Sequence, residues 1–187
     1  MDTSNPHVFP DSLPIPVDDG GADHLKGLIL PEISLRGVDG TINSLEAYRK
    51  GTTVFYFYPQ TGVIGKDPAP LWDSVPGAPG CTLQALGYRD LADEFSNRDI
   101  SIVGISGQSY VEQQQFALAN DIPFKLFSDE ALCLSHSLRL PTFKVGGLEF
   151  LKRLTMISIR GVVEKIFYPV FPPAENARNV LNWLRQI

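Results

Sequence analysis

The sequence has little cysteine: Cys81 and Cys133 are its only two in 187 residues. That argues against a disulfide-stapled secreted domain, which would carry more, at paired spacings. It has no basic run, and its formal charge is −5. Nothing here would track a phosphate backbone or an anionic bilayer, so neither nucleic acid nor a membrane is expected as a partner. No stretch approaches the ~20 apolar residues of a membrane-spanning helix. The start of the chain lacks the basic and apolar regions of a secretory leader. A cytoplasmic, reducing setting is therefore expected, where a thiol is kept for its chemistry or to fill core space. There is no internal repeat and no low-complexity tract. No side-chain cluster has metal-ligand spacing: His7 and His24 lie near the start of the chain, and His136 stands alone on a helical segment.

What the chain does have is ordinary core material. It is 43% hydrophobic and 20% charged, as in globular domains. A chain of this length buries roughly 70% of its unfolded surface without staples. Residues 1–25 are rich in Pro, Asp and Gly without periodicity, and are read as an extended or mobile arm. Residues 26–187 are read as one domain.

Glu32 to Leu35 reads as a short strand, with Asp39-Gly40 as the turn after it. Thr53 to Tyr58 is apolar and aromatic on both faces, the pattern of a central strand covered on both sides. Pro59 ends it. Residues 60–80 form a long loop closing on Pro70, Pro76, Gly77, Pro79 and Gly80. Thr82 to Asn97 is expected to be a helix, with Leu83, Leu86, Leu91 and Phe95 on its apolar face. Ile100 to Ile105 is a second buried strand. Ser109 and Glu112 make a capping box for a helix running to about Asn120. Phe124 to Phe127 is a third strand, and Asp129 can cap a short helix carrying Cys133 and His136. Leu154–Ile159 and Val162–Tyr168 form a hairpin around Arg160-Gly161. Asn176 to Gln186 is a terminal amphipathic helix through Ala177, Val180, Leu181 and Leu184. Strands alternating with helices, then closed by a hairpin and a helix, imply an α/β thioredoxin-like fold with a mixed central sheet flanked by helices.

Cys81 falls at the junction between the long loop and the helix. A helix N-terminus presents unpaired N–H groups and about half a positive charge, and both favour a thiolate. The ends of strands in open α/β sheets are also where ligands bind. Ionising a cysteine gains only a factor of roughly 10–30 over its ordinary population of thiolate at neutral pH, and a weaker base is also a weaker nucleophile. A fast reaction needs more, namely donors aimed at the charge that develops on the leaving group. Backbone N–H groups near Gly80, Cys81 and Thr82 are candidates, and a guanidinium would serve both thiolate and leaving group. Arg153, at the start of a strand, is the candidate guanidinium. The plainer readings are a small buried hydrophobe for Cys81 and a surface arginine for Arg153.

Phe57-Tyr58-Pro59, Pro79-Gly80-Cys81-Thr82-x-Gln84-Ala85 and Tyr88-Arg89-Asp90 resemble the peroxiredoxin family, most closely its bacterioferritin-comigratory, or Q-type, branch. Val103 to Ser106, Phe124 to Asp129, Leu140 to Phe143 and Arg153-Leu154-Thr155 resemble further family segments in the same order, so the likeness runs from about Leu30 to the C-terminus. The resemblance implies that Cys81 is the peroxidatic cysteine, oxidised by hydrogen peroxide or an organic hydroperoxide to a sulfenic acid. It implies that Arg153 supports it, and that Pro59, Gly80, Thr82 and Gln84 belong to the surrounding motif. It implies no metal and no organic cofactor, a thiol reductant such as thioredoxin or a glutathione system, and a monomer or homodimer.

The chain departs from the family pattern in two places. The motif has Pro seven residues before the cysteine and Thr or Ser three before it. Here Pro59 is 22 residues before Cys81, an insertion of about 15, and position 78 is Ala. Loss of a single donor hydroxyl of that kind costs on the order of 10²–10³ in rate, with Ser74 or Thr82 as substitutes. The insertion, with Leu71 and Trp72, is either a lid or apolar wall for an organic hydroperoxide or a surface decoration. The resolving cysteine found five residues after the peroxidatic one in many relatives is replaced by Leu86. Cys133, between Leu132 and Leu134, is read as a buried structural cysteine, with a resolving thiol as the alternative. Two other functions compete. A thiol-disulfide oxidoreductase would need Cys-x-x-Cys, and the fourth residue of that frame is Gln84. A degenerate relative acting as a redox sensor or binding protein would fit Ala78 and the insertion.

Overall fold

Alternate residues of a strand face opposite ways, and the run from Val54 to Tyr58 uses both directions. Val54, Tyr56 and Tyr58 enter one apolar layer, while Phe55 and Phe57 enter the other. This run is the core of β3 (Thr52–Phe57), an interior strand of a seven-stranded sheet in a computed structural model that describes residues 13–63 and 65–187. The other strands are β1 (Ser34–Gly37), β2 (Ile42–Ser44), β4 (Ile100–Ser106), β5 (Lys125–Ser128), β6 (Thr142–Val145), β7 (Leu148–Leu151), β8 (Leu154–Ile159) and β9 (Val162–Phe167). The helices are α1 (Cys81–Asp90), α2 (Ala92–Ser96), α3 (Tyr110–Ala119), α4 (Cys133–Leu138) and α5 (Asn176–Leu184).

The sheet order is β2-β1-β5-β4-β3-β8-β9. Strands β3, β4 and β5 run parallel, while β8 and β9 on one side and β1 and β2 on the other are antiparallel. It is the mixed, helix-flanked sheet of a thioredoxin-like fold. One face is covered by α1, α3 and α5 through Ala85, Tyr88, Phe116, Ala177, Val180 and Leu181. The other is covered by α4 through Leu134 and Leu138. As expected, Ser109 Oγ accepts the Glu112 backbone N–H at 3.3 Å to open α3. Asp129 accepts the N–H groups of Leu134 and Ser135 at 3.1 and 2.9 Å to open α4.

Three expectations are corrected. The helix foreseen over 82–97 is two helices, broken at Leu91 (φ −109°, ψ 7°). The break lets Tyr88 and Phe95 meet in one core, their rings 5.9 Å apart. The buried face of α1 is Cys81, Gln84, Ala85 and Tyr88, with Leu86 also buried and Leu83 only half-buried. Polar side chains satisfied by hydrogen bonds displace the leucine stripe. Second, β6 and β7 form a separate hairpin that was not foreseen, turning on Gly146 (φ 58°) and Gly147 (φ 79°). Consecutive left-handed positions define the tight two-residue turn that glycine pairs favour.

The third correction concerns the N-terminal arm. Residues 1–12, His7 among them, lie outside the described residues. Residues 13–25 pack onto the body, with Ala22 and Leu25 buried in the core, so the division at 25/26 does not hold. Asp19 accepts from Lys152 Nζ, and from Tyr168 Oη at 2.6 Å. The Lys152 ammonium holds that carboxyl well below the usual carboxylate range. His24 Nε2 lies 2.9 Å from the Leu138 carbonyl oxygen. These contacts make the segment a strap across the domain. A composition rich in Pro, Asp and Gly allows no more than a 3₁₀ turn at Asp23–Leu25 and does not exclude docking.

Candidate active site around Cys81

Helix α1 begins on Cys81 because Gly80 before it takes a left-handed conformation (φ 99°, ψ 11°) that a side chain would strain. The first helical bond inside α1 is from Gln84 N–H to Gly80 O at 3.0 Å. The N–H groups at the start of the helix are those that a helix leaves without an internal partner. The Cys81 side chain is buried, 3% exposed, in the layer that holds Tyr56, Tyr58 and Tyr88.

Arg153 is not a surface arginine: it is 3% exposed. It stands between β7 and β8, and its Nη2 donates to Cys81 Sγ at 3.1 Å. The same nitrogen faces the carbonyl oxygens of Gly77, Ala78 and Pro79 at 3.3, 3.1 and 3.0 Å, while Nη1 donates to Gln84 Oε1 at 2.6 Å. A buried cation is tolerable only with such compensation. Arg153 therefore does two things at once. It sets a positive charge against the sulfur, and it ties down the three residues that lead into it.

Gln84 is fully buried, and Asn176 fixes the orientation of its amide. Asn176 Oδ1 accepts from Gln84 Nε2 (2.9 Å), Tyr88 Oη (2.7 Å) and Thr155 Oγ1 (2.8 Å). With the amino end held there, the carbonyl end of Gln84 faces Arg153. Burial pushes the Tyr56, Tyr58 and Tyr88 hydroxyls up, so they stay neutral; Tyr58 and Tyr88 donate to Gln113 Oε1 and Asn176 Oδ1.

On the other side of the sulfur, Gln60 N–H donates to Cys81 Sγ at 3.4 Å. Pro59 is buried just before it and accepts from Ser106 Oγ at 2.9 Å. Gln108 pins the next residue: its Oε1 accepts from Thr61 N–H at 2.8 Å and its Nε2 donates to Thr61 O at 3.2 Å. Thr82, second in α1, is half-buried. Gln60, Gln108 and Asn176 were not among the residues singled out from the sequence. Asn176 left a faint signal as a polar residue opening the apolar stripe of the last helix. The two glutamines left none, because loops 47 residues apart bring Thr61 and Gln108 together.

Ala78 is fully buried and belongs to a small apolar cluster with Trp72, Val145 and Phe150. Trp72 packs edge-on against Phe150 at 5.1 Å. The insertion thus carries its own core on the β6–β7 hairpin, and the methyl of Ala78 is part of it. Leu71 remains exposed. An Ala78→Thr substitution is expected to lower stability by about 1–3 kcal/mol through overpacking. It should leave the oxidation rate of Cys81 no faster, which thermal melts and peroxide kinetics will show.

Cys133 is exposed, which corrects the expectation of a buried cysteine. The apolar neighbours point inward while the thiol faces out, because adjacent helical residues lie on different faces. Nor does the structure bring it to Cys81. Helix α4 covers the sheet face opposite α1. His136 is also exposed on α4. Among the described residues no group of three or more His, Cys, Asp or Glu is placed to hold a metal. Nor among them is there a helix long and apolar enough to cross a membrane.

Cys81 is thus a buried thiol at a helix start with the Arg153 guanidinium on its sulfur. Residues 74–164 match the AhpC/TSA family. Over 162 residues the chain is 28% identical to peroxiredoxin Q, chloroplastic, of rice, covering 87% of this chain and 67% of that one. The chain thus carries an AhpC/TSA domain and resembles the Q-type peroxiredoxins. Its fold matches that of peroxidoxin BcpB from Mycobacterium tuberculosis with a TM-score of 0.71 at 26% identity, over 87% of this chain and 97% of the other. The fold is also that of the bacterioferritin comigratory protein of Xanthomonas campestris, with a TM-score of 0.66 at 23% identity over 94% and 98% of the two chains. The chain is accordingly a thiol-dependent peroxidase.

Proposed function

We propose that Cys81 is the peroxidatic thiolate of this enzyme and that it works without a second cysteine of its own. The sulfur attacks one peroxide oxygen, the O–O bond breaks, and the other oxygen leaves as hydroxide or alkoxide and takes up a proton. Cys81 becomes a sulfenic acid. An external thiol then condenses with it, releasing water, and a second thiol cleaves the mixed disulfide to restore Cys81. Alkyl peroxide reduction is an activity of the Xanthomonas protein; we extend to this chain both hydrogen peroxide and organic hydroperoxides as substrates. Thioredoxin or a glutathione system is the reductant in this reading, and the cytoplasm, where both can be kept reduced, the compartment.

The observation that carries the assignment is the 3.1 Å contact between Arg153 Nη2 and Cys81 Sγ. A donor held there without reorganisation stabilises the thiolate and then the charge on the leaving oxygen. Gln60 N–H, at 3.4 Å from the sulfur, is a second donor on the other side. Together they take over the work of the hydroxyl missing at Ala78. The decisive experiment is stopped-flow oxidation of the reduced protein by hydrogen peroxide, with mass spectrometry of the trapped sulfenic acid. Oxidation at Cys81 at least about 10³-fold faster than a free thiol is expected; a free-thiol rate overturns the assignment.

The single-cysteine cycle rests on the opposite placement of the two thiols. A disulfide needs Cα atoms within about 7 Å, and α1 and α4 lie on different faces of the sheet. Cys133→Ser is expected to leave the oxidation rate within about twofold of the parent, as usual for an exposed substitution outside the site. Peroxide-treated parent protein should show no Cys81–Cys133 disulfide by mass spectrometry.

A further inference from the structure

The last helix, α5, opens on a buried polar residue, Asn176. Its Oδ1 gathers donors from two other elements. Gln84 Nε2 (2.9 Å) and Tyr88 Oη (2.7 Å) come from α1, where a spacing of four puts them on one helical face. Thr155 Oγ1 (2.8 Å) comes from β8. Gln84 lies one helical turn after Cys81, and Thr155 lies just past Arg153 along the chain. One amide oxygen therefore ties the helix that carries the sulfur to the strand that follows the guanidinium.

Three observations carry this tie to the sulfur. Gln84, Tyr88, Thr155 and Asn176 are all buried, so the tie is made inside the core and away from solvent. Arg153 Nη2 is spent on the sulfur and on the loop carbonyls of residues 77–79, and Nη1 donates to Gln84 Oε1 at 2.6 Å. Arg153 Nε is buried and, among the described residues, has no hydrogen-bond partner. The tilt of the planar guanidinium over Cys81 is thus fixed at its second corner by Gln84. Turned end for end, the Gln84 amide would set Nε2 against Nη1, donor to donor; Asn176 Oδ1 holds it the other way. Finally, the 3₁₀ turn Pro173–Glu175 before α5 is pressed onto α1, where a Cβ on Gly87 would lie 2.9 Å from Ala174 O. Backbone contact therefore sets the height of Asn176 along α1.

We propose that Asn176 is a positioning residue for the peroxidase reaction. By holding Gln84 and Thr155 on one oxygen, it sets the Arg153 guanidinium in place against Cys81 Sγ. The proposal rests on the assignment of Cys81 as the peroxidatic thiolate. Asn176 acts through Gln84 and not by contact with the peroxide. A donor displaced by a fraction of an ångström serves the charge developing on the leaving oxygen less well, and that is how a residue on the last helix reaches the rate.

The test is a double-mutant cycle on the second-order oxidation of Cys81 by hydrogen peroxide, in the full chain carrying Asn176→Ala, Gln84→Met or both. Each single variant is expected to be at least about tenfold slower than the parent. The double variant should lie within about twofold of the slower single one, since both substitutions cut the same tie. Asn176→Asp keeps an acceptor oxygen in place and should return the rate to within about threefold of the parent. Gly87→Ala removes no hydrogen-bonding group and presses only on the turn before α5. It should slow oxidation by at least about threefold, and it decides the matter should Asn176→Ala fail to fold. A parent-like rate in folded Asn176→Ala or in Gly87→Ala overturns the positioning role. So do single effects that multiply in the double variant, or an Asn176→Asp as slow as Asn176→Ala, because a residue needed only for folding does not couple to Gln84 in the rate. All of these outcomes leave the assignment of Cys81 standing. A parent that itself oxidises at the free-thiol rate overturns that assignment and the role of Asn176 with it.

Discussion

Replacing Arg153 by alanine is expected to slow oxidation of Cys81 by about 10²–10³, the usual loss when a preorganised donor to developing charge is removed. The guanidinium is the nearest cationic group to the sulfur, 3.1 Å from it. Its removal also takes the Arg153 donor from the buried Gln84 Oε1 and from the carbonyl oxygens of Gly77 and Pro79, and leaves Ala78 O only its contact with Cys81 Sγ. Each unsatisfied buried group costs about 1–3 kcal/mol, so the variant should also melt at lower temperature, and the loop before Cys81 should exchange its amides faster. The two effects are separable. Arg153→Lys restores the charge but, as a compact ammonium, cannot span the acceptors that a planar fork reaches. It should recover part of the rate and little of the loop protection. Stopped-flow kinetics beside hydrogen exchange measure both. An unchanged oxidation rate in Arg153→Ala would remove this residue from the mechanism.

Cys81→Ser is expected to reduce peroxide turnover to background, a loss on the order of 10⁴ or more, as for removal of a nucleophile. The reason is redox as much as nucleophilicity. Sulfur accepts an oxygen atom and gives up two electrons to the O–O bond; a hydroxyl oxygen has no corresponding oxidation to undergo. The change is nearly isosteric, and the serine hydroxyl can keep the contact that Cys81 Sγ makes with Ala78 O at 3.6 Å. Fold and melting temperature should therefore be retained, so that loss of turnover with intact structure assigns the chemistry to the sulfur. Turnover in this variant with any peroxide would place the reaction elsewhere in the chain.

The strap and the insertion show how far local sequence carries. Pro and Gly in residues 13–25 exclude α-helix and strand, and only a 3₁₀ turn forms, at Asp23–Leu25. Yet Leu25 is buried in the core and Asp19 is tied to Lys152 and Tyr168, partners 133 and 149 positions away. The insertion likewise shows no periodicity, and still it seats Trp72 on Phe143 and Phe150. For Ala78 this changes the meaning of the residue. A missing hydroxyl in the motif is, in the structure, a methyl in an apolar cluster.

Sequence alone determined the parts whose physics is local. Both-faced apolarity identified β3, and hydroxyl-to-amide spacing placed the start of α3. A glycine at a loop-to-helix junction placed Cys81 at the start of α1. The ordered motifs pointed to the AhpC/TSA domain that residues 74–164 match. Tertiary structure alone decided what depends on groups distant in the chain. It buried Arg153 against Cys81 across 72 positions and chose Asn176 to hold Gln84. It turned Cys133 outward and laid the strap beside the inserted loop. Hydrogen bonds and burial act over a few ångströms of space, and a linear sequence records those neighbours only where periodicity or a short turn keeps them close along the chain.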